Sequence, residues 1–310
     1  MWNSDILRHR PKVQGLNALT IFHKFLRLTI ELLSRIGINK THLIIITHKL
    51  LRSNLKPTVA KVAGNTLFLA SNESYHLEMS LFGVVEPLAT HMFTEHIQPG
   101  NTVIDIGANI GYYTILAAQI VGETGKVYAF EPEPKNLTLL KKNVEHNNLT
   151  NVVLANKAVS NANGSTQLYL APNETSTHRI YRTEEHRECI FVDVTTLDQY
   201  FNPTFPPVHL IKIDIEGAEY GAIRGMENLL KVNREIRLIT EFWPLGLKEF
   251  GTSAETFLEL LTSYGFTTFL EINEETNTVT PMSKDELLTT YTAEKRNITN
   301  LFCKKSDDCS

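Results

Sequence analysis

The segment Val103-Ile104-Asp105-Ile106-Gly107-Ala108-Asn109-Ile110-Gly111 decides the fold of this chain. A short apolar run with one acid is followed by a glycine turn and then by the helix-forming stretch 113–121. Gly107 lets the backbone turn tightly and approach a ligand, and Gly111 lets the next helix start close to the strand. A strand, a glycine turn and a helix in this order are typical of a doubly wound sheet.

Similar units continue along the chain after this segment. Short apolar runs that alternate with helical stretches imply a mostly parallel sheet covered on both faces. We therefore predict an α/β fold with a doubly wound, mostly parallel, seven-stranded Rossmann-like sheet. The predicted strands are 103–106, 127–130, 152–154, 208–213, 236–240, 266–270 and 298–303, and the predicted helices are 87–97, 113–121, 134–147, 218–230 and 254–264.

We predict two parts of the chain, an N-terminal helical extension over 1–65 and the α/β domain over 66–310. The domain carries an insertion at about 160–207, with strand-like pieces around a polar stretch, and such long loops often act as lids. Apolar and basic residues at helical spacing over 16–51 predict a helical hairpin, with weak attachment to a membrane surface as the alternative.

Composition limits the partners and the compartment of the protein. The 310 residues include 34 acids and 30 bases, a net charge of -4, which argues against a duplex nucleic-acid partner. Three cysteines without zinc-site spacing indicate a reducing compartment, and the N-terminus lacks a signal pattern. We therefore expect a cytoplasmic protein without a nucleic-acid partner, and its oligomeric state is left open.

The glycine turn differs from a dinucleotide fingerprint. Asn109 and Tyr112 stand where a pyrophosphate site needs glycines, so the turn suits a ligand without phosphates. Asp105 can accept hydrogen bonds from loop amides or from a cationic ligand group. Glu131, at the end of the second strand, can bind both hydroxyls of a ribose. S-adenosylmethionine has a ribose and an adenine, with an ammonium, a carboxylate and a sulfonium in place of phosphates.

Several motifs together resemble the FkbM family of S-adenosylmethionine-dependent methyltransferases. The similarity runs from about residue 86 to 272 and is carried by 105–114, 130–136, 156–160, 196–198 and 211–219. The resemblance implies a class I methyltransferase fold with an antiparallel seventh strand. Members of this family often carry out O-methylation of a hydroxyl on a sugar, glycan or secondary metabolite, and the resemblance implies such a reaction here.

The resemblance also assigns residues to the cofactor. The glycine turn would shape the methionine and ribose side of the pocket, and the segment around Ala158 would flank the adenine. Glu86 matches a Glu-Pro pair typical of the family, although a plain acid at a helix start explains it equally well. The predicted cofactor-binding residues are Asp105, Gly107, Ala108, Asn109, Gly111, Tyr112, Glu131, Pro132, Asn136 and Ala158.

The fourth predicted strand ends in Asp214-Ile215-Glu216-Gly217 and carries Lys212 among apolar residues. A buried ammonium needs a partner, and strand alternation places Lys212 and Asp214 on the same face. Methyl transfer to oxygen requires alignment of the acceptor and removal of its proton. We predict Asp214 as the acceptor-binding or basic residue and Glu216 as the second, with a structural Lys212–Asp214 ion pair as the alternative.

Two further groups of polar residues are left open by the sequence. Glu241 would lie beside Asp214 and Glu216 if the fourth and fifth strands are neighbours, and the three could hold a divalent ion. Carboxylates without defined spacing are weak evidence for a site, so no metal is predicted. The insertion carries polar residues that either meet an anionic or sugar substrate or form a solvated loop: His178, Arg179, Tyr181 and Arg182.

The sequence leaves alternatives to O-methylation. N-methyltransferases acting on bases or amides typically carry an Asn/Asp-Pro-Pro-aromatic loop after the fourth strand, where this chain has Asp214-Ile215-Glu216-Gly217. An NAD-dependent oxidoreductase conflicts with Asn109 and Tyr112. A non-catalytic scaffold that binds S-adenosylmethionine remains as the alternative outside the enzymes.

Overall fold

A computed structural model describes residues 28–30, 32–33, 58–70, 74–171, 175–182 and 187–306. The chain divides into two units, Met1–Val85 and Glu86–Ser310. Nearly all of the predicted hairpin over 16–51, and with it the predicted membrane contact, lies outside the described residues. Within the described part of the chain, no helix is both long and apolar enough to cross a bilayer.

The described residues 58–70 and 74–82 of the first unit form a small antiparallel hairpin and a helix. Strand β1 (Val59–Val62) pairs with β2 (Asn65–Phe68), and helix α1 (Ser74–Phe82) follows. The buried side chains of Leu67 and Met79 contribute to its core. The hairpin spans residue 65, where the sequence predicts the start of the α/β domain, and that boundary stays a prediction.

The second unit holds the remaining strands and helices. Its strands are β3 (Thr102–Ile106), β4 (Lys126–Phe130), β5 (Val152–Ala155), β6 (Ala158–Val159), β7 (Gly164–Tyr169), β8 (Cys189–Thr195), β9 (Leu210–Ile213), β10 (Arg237–Phe242), β11 (Phe266–Asn273), β12 (Thr278–Pro281) and β13 (Thr299–Lys305). Its helices are α2 (Pro87–Glu95), α3 (Tyr112–Val121), α4 (Pro134–His146), α5 (Leu197–Tyr200), α6 (Glu219–Arg224), α7 (Glu227–Val232), α8 (Pro244–Phe250), α9 (Ala254–Ser263) and α10 (Lys284–Thr290).

The main sheet has eight strands in the order β12-β11-β13-β10-β9-β3-β4-β5. Strands β5, β4, β3, β9 and β10 are parallel, while β13 is antiparallel to both β10 and β11. This arrangement confirms the predicted doubly wound sheet and the antiparallel last strand. The eighth strand, β12, was not predicted, because all four of its residues are exposed at the edge and leave no apolar pattern.

The order of strands reverses between β3 and β9, and this point positions the site. From β3 the chain proceeds outward through β4 and β5, and it then returns to β9 on the other side of β3. Both strands are fully buried, and α3 is buried along most of its length, so these elements form the centre of the core. In such sheets the ligand lies beyond the carboxyl ends of the strands at the reversal.

The predicted helix over 218–230 is interrupted. It forms two short helices, α6 and α7, separated around Gly225. A Cβ atom on Gly225 would lie 2.0 Å from the carbonyl oxygen of Ser160, so this glycine lets two backbone segments touch. That contact joins residues far apart in sequence, which explains why helical periodicity alone predicted a continuous helix.

The predicted insertion forms a second sheet of three strands, ordered β6-β8-β7. The predicted strand-like pieces 166–170 and 190–194 correspond to β7 and β8, and β7 ends one residue earlier than predicted. Between them, Arg179 pairs with Tyr169 through both backbone hydrogen bonds, at 2.7 and 3.1 Å. This pairing brings the segment 175–182 back toward the carboxyl ends of the main sheet, where it lines a cleft.

Candidate functional site

A cleft enclosing about 550 Å³ lies at the carboxyl ends of the central strands. Its walls come from the turns after β3, β4 and β9, and the insertion contributes β6, β7 and residues Ser176, His178 and Ile180. Seven of the predicted site residues line the cleft: Gly107, Asn109, Glu131, Pro132, Ala158, Asp214 and Glu216.

The other five predicted residues lie behind the cleft wall. Asp105 is buried and accepts a hydrogen bond of 2.6 Å from the hydroxyl of Thr114. A Cβ on Gly111 would lie 2.4 Å from the side chain of Leu140 on α4. The sequence predicts that Gly111 lets its helix start close to the strand, and the structure shows that α4 also packs closely against this glycine. The remaining three are buried Ala108, Tyr112 and Asn136.

The glycine turn is held against the end of β9. Gly107 has φ +84, and a Cβ on it would lie 2.0 Å from the carbonyl oxygen of Asp214. Any side chain there would collide with the backbone of the opposite loop, since a real Cβ never approaches an oxygen so closely. Gly107 therefore lets the glycine turn after β3 and the loop after β9 come into direct contact.

Asn109 lines the cleft and carries an unsatisfied polar atom. Its backbone is left-handed, with φ 49, and its N–H donates to Oε2 of Glu131 at 2.8 Å. Its side-chain oxygen Oδ1 is buried and accepts no hydrogen bond from any described residue. Buried amide oxygens are rarely left unpaired in folded proteins, so this atom points to a donor supplied by a ligand.

Glu131 connects the turns after β3 and β4. Its Oε2 accepts from Asn109 and its Oε1 accepts from the backbone N–H of Glu133 at 2.9 Å. Each carboxylate oxygen can accept more than one hydrogen bond, so both keep capacity for ligand hydroxyls. Burial raises the pKa of Glu131 to about 7, although the two backbone donors oppose this rise. The carboxylate is thus fixed in place and faces the cleft.

On the opposite side of the cleft, Asp214 pairs with Lys212. The Lys212 ammonium lies 2.9 Å from Oδ2 of Asp214 and 4.3 Å from the ring centroid of Tyr113. Burial lowers the pKa of Lys212, but Asp214, Asp105 and Glu86 outweigh this effect and raise the pKa above its ordinary value. The side chain of Asp214 remains 33% exposed, so the ion pair leaves it accessible from the cleft.

The loop after β9 holds Glu216 in a strained backbone conformation. Glu216 has φ 59, a left-handed value that costs energy for a residue with a side chain. The Tyr181 hydroxyl donates to the carbonyl of Glu216, which ties the insertion to this loop. Glu219 Oε1 accepts from the backbone N–H groups of Ile215 and Gly217 at 3.0 and 3.2 Å. These contacts hold the backbone of the loop that carries Glu216.

Glu241 completes a cluster of carboxylates beside this loop. One oxygen from each of Asp214, Glu216 and Glu241 lies within 4.8 Å of the other two, because β9 and β10 are parallel neighbours. Burial and the repulsion of Asp214 raise the pKa of Glu216 to about 8. Burial and the repulsion of Glu216 raise the pKa of Glu241 well above its ordinary value. The conditional expectation that Glu241 lies beside the other two is confirmed.

The insertion places residues at the site whose contacts the sequence did not predict. Arg179 lies 4.5 Å from the ring centroid of Trp243 and 3.1 Å from a carboxylate oxygen of Glu249. It also lies 4.0 Å from Glu216. His178 lines the cleft, as one of the two interpretations of this segment suggests, and its Nδ1 accepts from the N–H of Ala171 at 2.9 Å. Trp243, Glu249 and Glu216 come from distant parts of the chain, so sequence spacing gives no signal for these contacts of Arg179.

Glu86 contributes to the electrostatics beneath the cleft. It has a left-handed φ of 43 before α2, and it accepts hydrogen bonds from the Tyr113 hydroxyl at 3.0 Å and from Asn300 at 3.2 Å. Burial and the nearby Asp214 raise its pKa. Its role therefore extends beyond the start of a helix.

Several known methyltransferases are similar to parts of this chain. The chain is 23% identical over 146 residues to Methyltransferase 1 of Beauveria bassiana, which covers 41% of this chain and 58% of that protein. It is 37% identical over 65 residues to the tRNA (adenine(58)-N(1))-methyltransferase catalytic subunit of Yarrowia lipolytica, covering 21% of this chain and 17% of that protein. A SAM-dependent O-methyltransferase structure from Thermotoga maritima aligns at 14% identity with a TM-score of 0.43, covering 82% of this chain and 80% of the other.

The chain thus spans less than two thirds of the length of either curated relative. The family model of the methyltransferase FkbM domain matches residues 105–268, which contain the glycine turn, Glu131, the insertion and the carboxylate loop. This match confirms the resemblance inferred from the sequence motifs. Because these residues make up more than half of the 310-residue chain, the protein belongs to the methyltransferase FkbM domain family.

Proposed function

We propose that this protein is an S-adenosylmethionine-dependent methyltransferase that methylates a hydroxyl of a sugar, a glycan or another hydroxylated small molecule. The observation that carries the proposal is the arrangement of one cleft. Glu131 and Asn109, whose side-chain oxygen is buried and unsatisfied, line it together with Asp214 and Glu216 from the loop after β9. Membership of the FkbM domain family supports the same reaction.

The residues of the cleft fit S-adenosylmethionine better than a phosphate-bearing cofactor. Glu131 offers oxygens to two ribose hydroxyls, and the Asn109 oxygen can accept from an ammonium or a hydroxyl. Among the described lining residues, Lys157 is the one lysine or arginine, and it pairs with Asp193 at 3.4 Å. A pyrophosphate would therefore meet mainly carboxylates, whereas a cationic cofactor is attracted by them.

The loop after β9 would bind and deprotonate the acceptor. When bound, the cofactor supplies a methyl group activated by a positively charged sulfur. Asp214 would orient the acceptor hydroxyl and accept its proton, since it is exposed to the cleft and fixed by Lys212. Glu216 would orient the acceptor through a second hydrogen bond, held in place by the contacts of its own backbone. The insertion would cover both residues and limit the access of water.

The acid-rich site also bears on the class of acceptor. One relative is a tRNA methyltransferase, so a nucleic acid is an alternative acceptor class, although this chain covers only 17% of that protein. A polyanionic acceptor would be repelled by carboxylates at the point where its reactive group must sit. The acid-lined cleft therefore favours a neutral polyhydroxylated acceptor.

The test is labelled methyl transfer. The purified protein is incubated with cell extract and isotopically methyl-labelled S-adenosylmethionine, and mass spectrometry identifies the labelled product. Asp214→Asn keeps an oxygen for Lys212 but cannot take the proton, so it should abolish transfer and leave cofactor binding nearly intact. Asp285→Asn, at an exposed position in the first turn of α10, is the matched control and should behave as the wild type.

Three results would count against the proposal. A product with the labelled methyl group on nitrogen or carbon would show that the protein does not methylate oxygen. Cofactor binding with no labelled product from any acceptor pool would favour the non-catalytic scaffold. Retained turnover in Asp214→Asn would remove Asp214 from the chemistry.

A further inference from the structure

We infer that Asp214, Glu216 and Glu241 form a binding site for one divalent cation of the Mg²⁺ or Mn²⁺ type. The cation site itself follows from the side chains of this unit. Its role, holding the acceptor hydroxyl, rests on the proposed function.

The distances suit a hard cation with carboxylate ligands. One oxygen from each of the three residues lies within 4.8 Å of the others. In an octahedral site with bonds of about 2.1 Å, adjacent ligand oxygens are about 3.0 Å apart and opposite ones about 4.2 Å apart. Small side-chain movements would therefore close the three oxygens around one ion. Three protein ligands leave positions for water and for an acceptor oxygen, as Mg²⁺ sites usually do.

Two unpartnered carboxylate oxygens belong to Glu241, a member of the cluster, and to its neighbour Glu219. Oε2 of Glu241 is buried and accepts no hydrogen bond from any described residue. Oε2 of Glu219 is also unpartnered, in a side chain that is 0% exposed, while its other oxygen is bound to the loop that carries Asp214 and Glu216. Buried carboxylate oxygens without partners are costly. A cation bound by Glu241, with a coordinated water that donates to Glu219, would satisfy both atoms.

The balance of fixed charge also favours a cation. Lys212 pairs with Asp214, and Arg179 is shared between Glu216 and Glu249. Among the described residues, no salt bridge reaches Glu241. The remaining negative charge is what a divalent ion neutralises.

The position of the site gives the ion a function. Asp214 and Glu216 line the cleft together with Glu131, so an ion bound to them faces the space left for cofactor and acceptor. An acceptor hydroxyl on such an ion would be held in a fixed direction, and its pKa would fall. The acceptor class that fits is a compound with neighbouring oxygens, because two of them can coordinate the same ion.

Direct binding of Mn²⁺ tests the site without any methyl transfer. The full chain, freed of metal with EDTA, is titrated with Mn²⁺ alone, and free Mn²⁺ is followed by electron paramagnetic resonance. We expect one Mn²⁺ per chain, displaced by Mg²⁺. Glu241→Gln should weaken binding at least tenfold, and Glu255→Gln, at an exposed position in the first turn of α9, should leave it unchanged.

Protein stability supplies a second readout that does not depend on one variant. Mn²⁺ should raise the thermal unfolding temperature of the wild type and should raise it less in Glu241→Gln. No bound Mn²⁺, or equal affinity in Glu241→Gln and the wild type, would overturn the site. Mn²⁺ binding together with an unchanged rate of methyl transfer in EDTA would overturn its role with the acceptor. Mn²⁺ binding without any S-adenosylmethionine binding would sink the proposed function and leave the cation site standing.

Discussion

Replacing Glu131 by glutamine should weaken cofactor binding in a way that depends on pH. In the wild type, both oxygens of Glu131 accept backbone hydrogen bonds and still face the cleft. In the variant, the amide nitrogen must face one of the two backbone donors, Asn109 or Glu133, and the ribose loses its charged acceptor. The side-chain volume is nearly unchanged, so the effect comes from charge and hydrogen bonding.

The structure gives the size and the pH range of this effect. A hydrogen bond to a charged group contributes about 1.5–3 kcal/mol, so Kd at pH 8 should rise about ten- to 150-fold. Burial raises the pKa of Glu131 to about 7, and ribose hydroxyls bind its charged form. Wild-type affinity should therefore fall as the pH drops below about 7, by up to about tenfold per unit. The variant cannot titrate here, so its Kd should stay flat and the difference should shrink at pH 6.

Isothermal titration with S-adenosylmethionine at pH 6, 7 and 8 measures both quantities. At pH 7, two buffers with different ionisation enthalpies should reveal proton release on binding to the wild type and none for Glu131→Gln. Glu145→Gln is a suitable control, because the Glu145 side chain is 66% exposed near the end of α4. Equal Kd values for wild type and Glu131→Gln at pH 8 would show that the ribose is held elsewhere.

Three further changes test the framework around the site. Gly107→Ala should abolish methyl transfer and lower the unfolding temperature more than Gly64→Ala does. The two glycines have similar φ values of +84 and +87, but a Cβ on Gly107 would lie 2.0 Å from a backbone oxygen, whereas a Cβ on Gly64 would meet no atom within 4 Å. Similar unfolding temperatures of the two variants would refute the collision. Lys212→Met should destabilise the fold by about 3–5 kcal/mol in denaturant unfolding, since it leaves buried acids without their cation. Glu216 and Glu219 have pKa values of about 8 and 7, above the ordinary 4.5, so the folded state binds more protons and the free energy of unfolding should fall from pH 5 to pH 8. A metal-free and cofactor-free sample whose stability rises over that range would contradict these pKa directions.

The central part of the fold could be predicted because its signals are local. Strands β3 and β9 are buried on both faces, and this appears in the sequence as short continuous apolar runs. The glycine turn and Glu131 lie directly after such runs, so their positions at the sheet edge follow from strand boundaries alone. The Lys212–Asp214 pair follows from strand alternation in the same way.

The remaining features depend on contacts between distant residues. The edge strand β12 has no buried side chain, so its sequence resembles a loop. The break between α6 and α7 arises where Gly225 meets the backbone of Ser160. Arg179 reaches the site only because the insertion folds back onto Trp243 and the loop after β9. Neither periodicity nor composition records which distant segment an insertion will contact.

Unsatisfied carboxylate oxygens around Asp214 decide between a structural and a functional interpretation of this residue. An ion pair that served stability alone would need no further carboxylates, since the charge of Asp214 already balances the ammonium of Lys212. Instead, Asp214 remains accessible, and the neighbouring Glu219 and Glu241 keep buried oxygens that no described residue satisfies. Carboxylates arranged in this way destabilise the folded chain at neutral pH, because burial raises their pKa values. Such a cost at the point where the strand order reverses is expected of a site that binds a positively charged or hydroxyl-bearing ligand, and a core built for stability would avoid it.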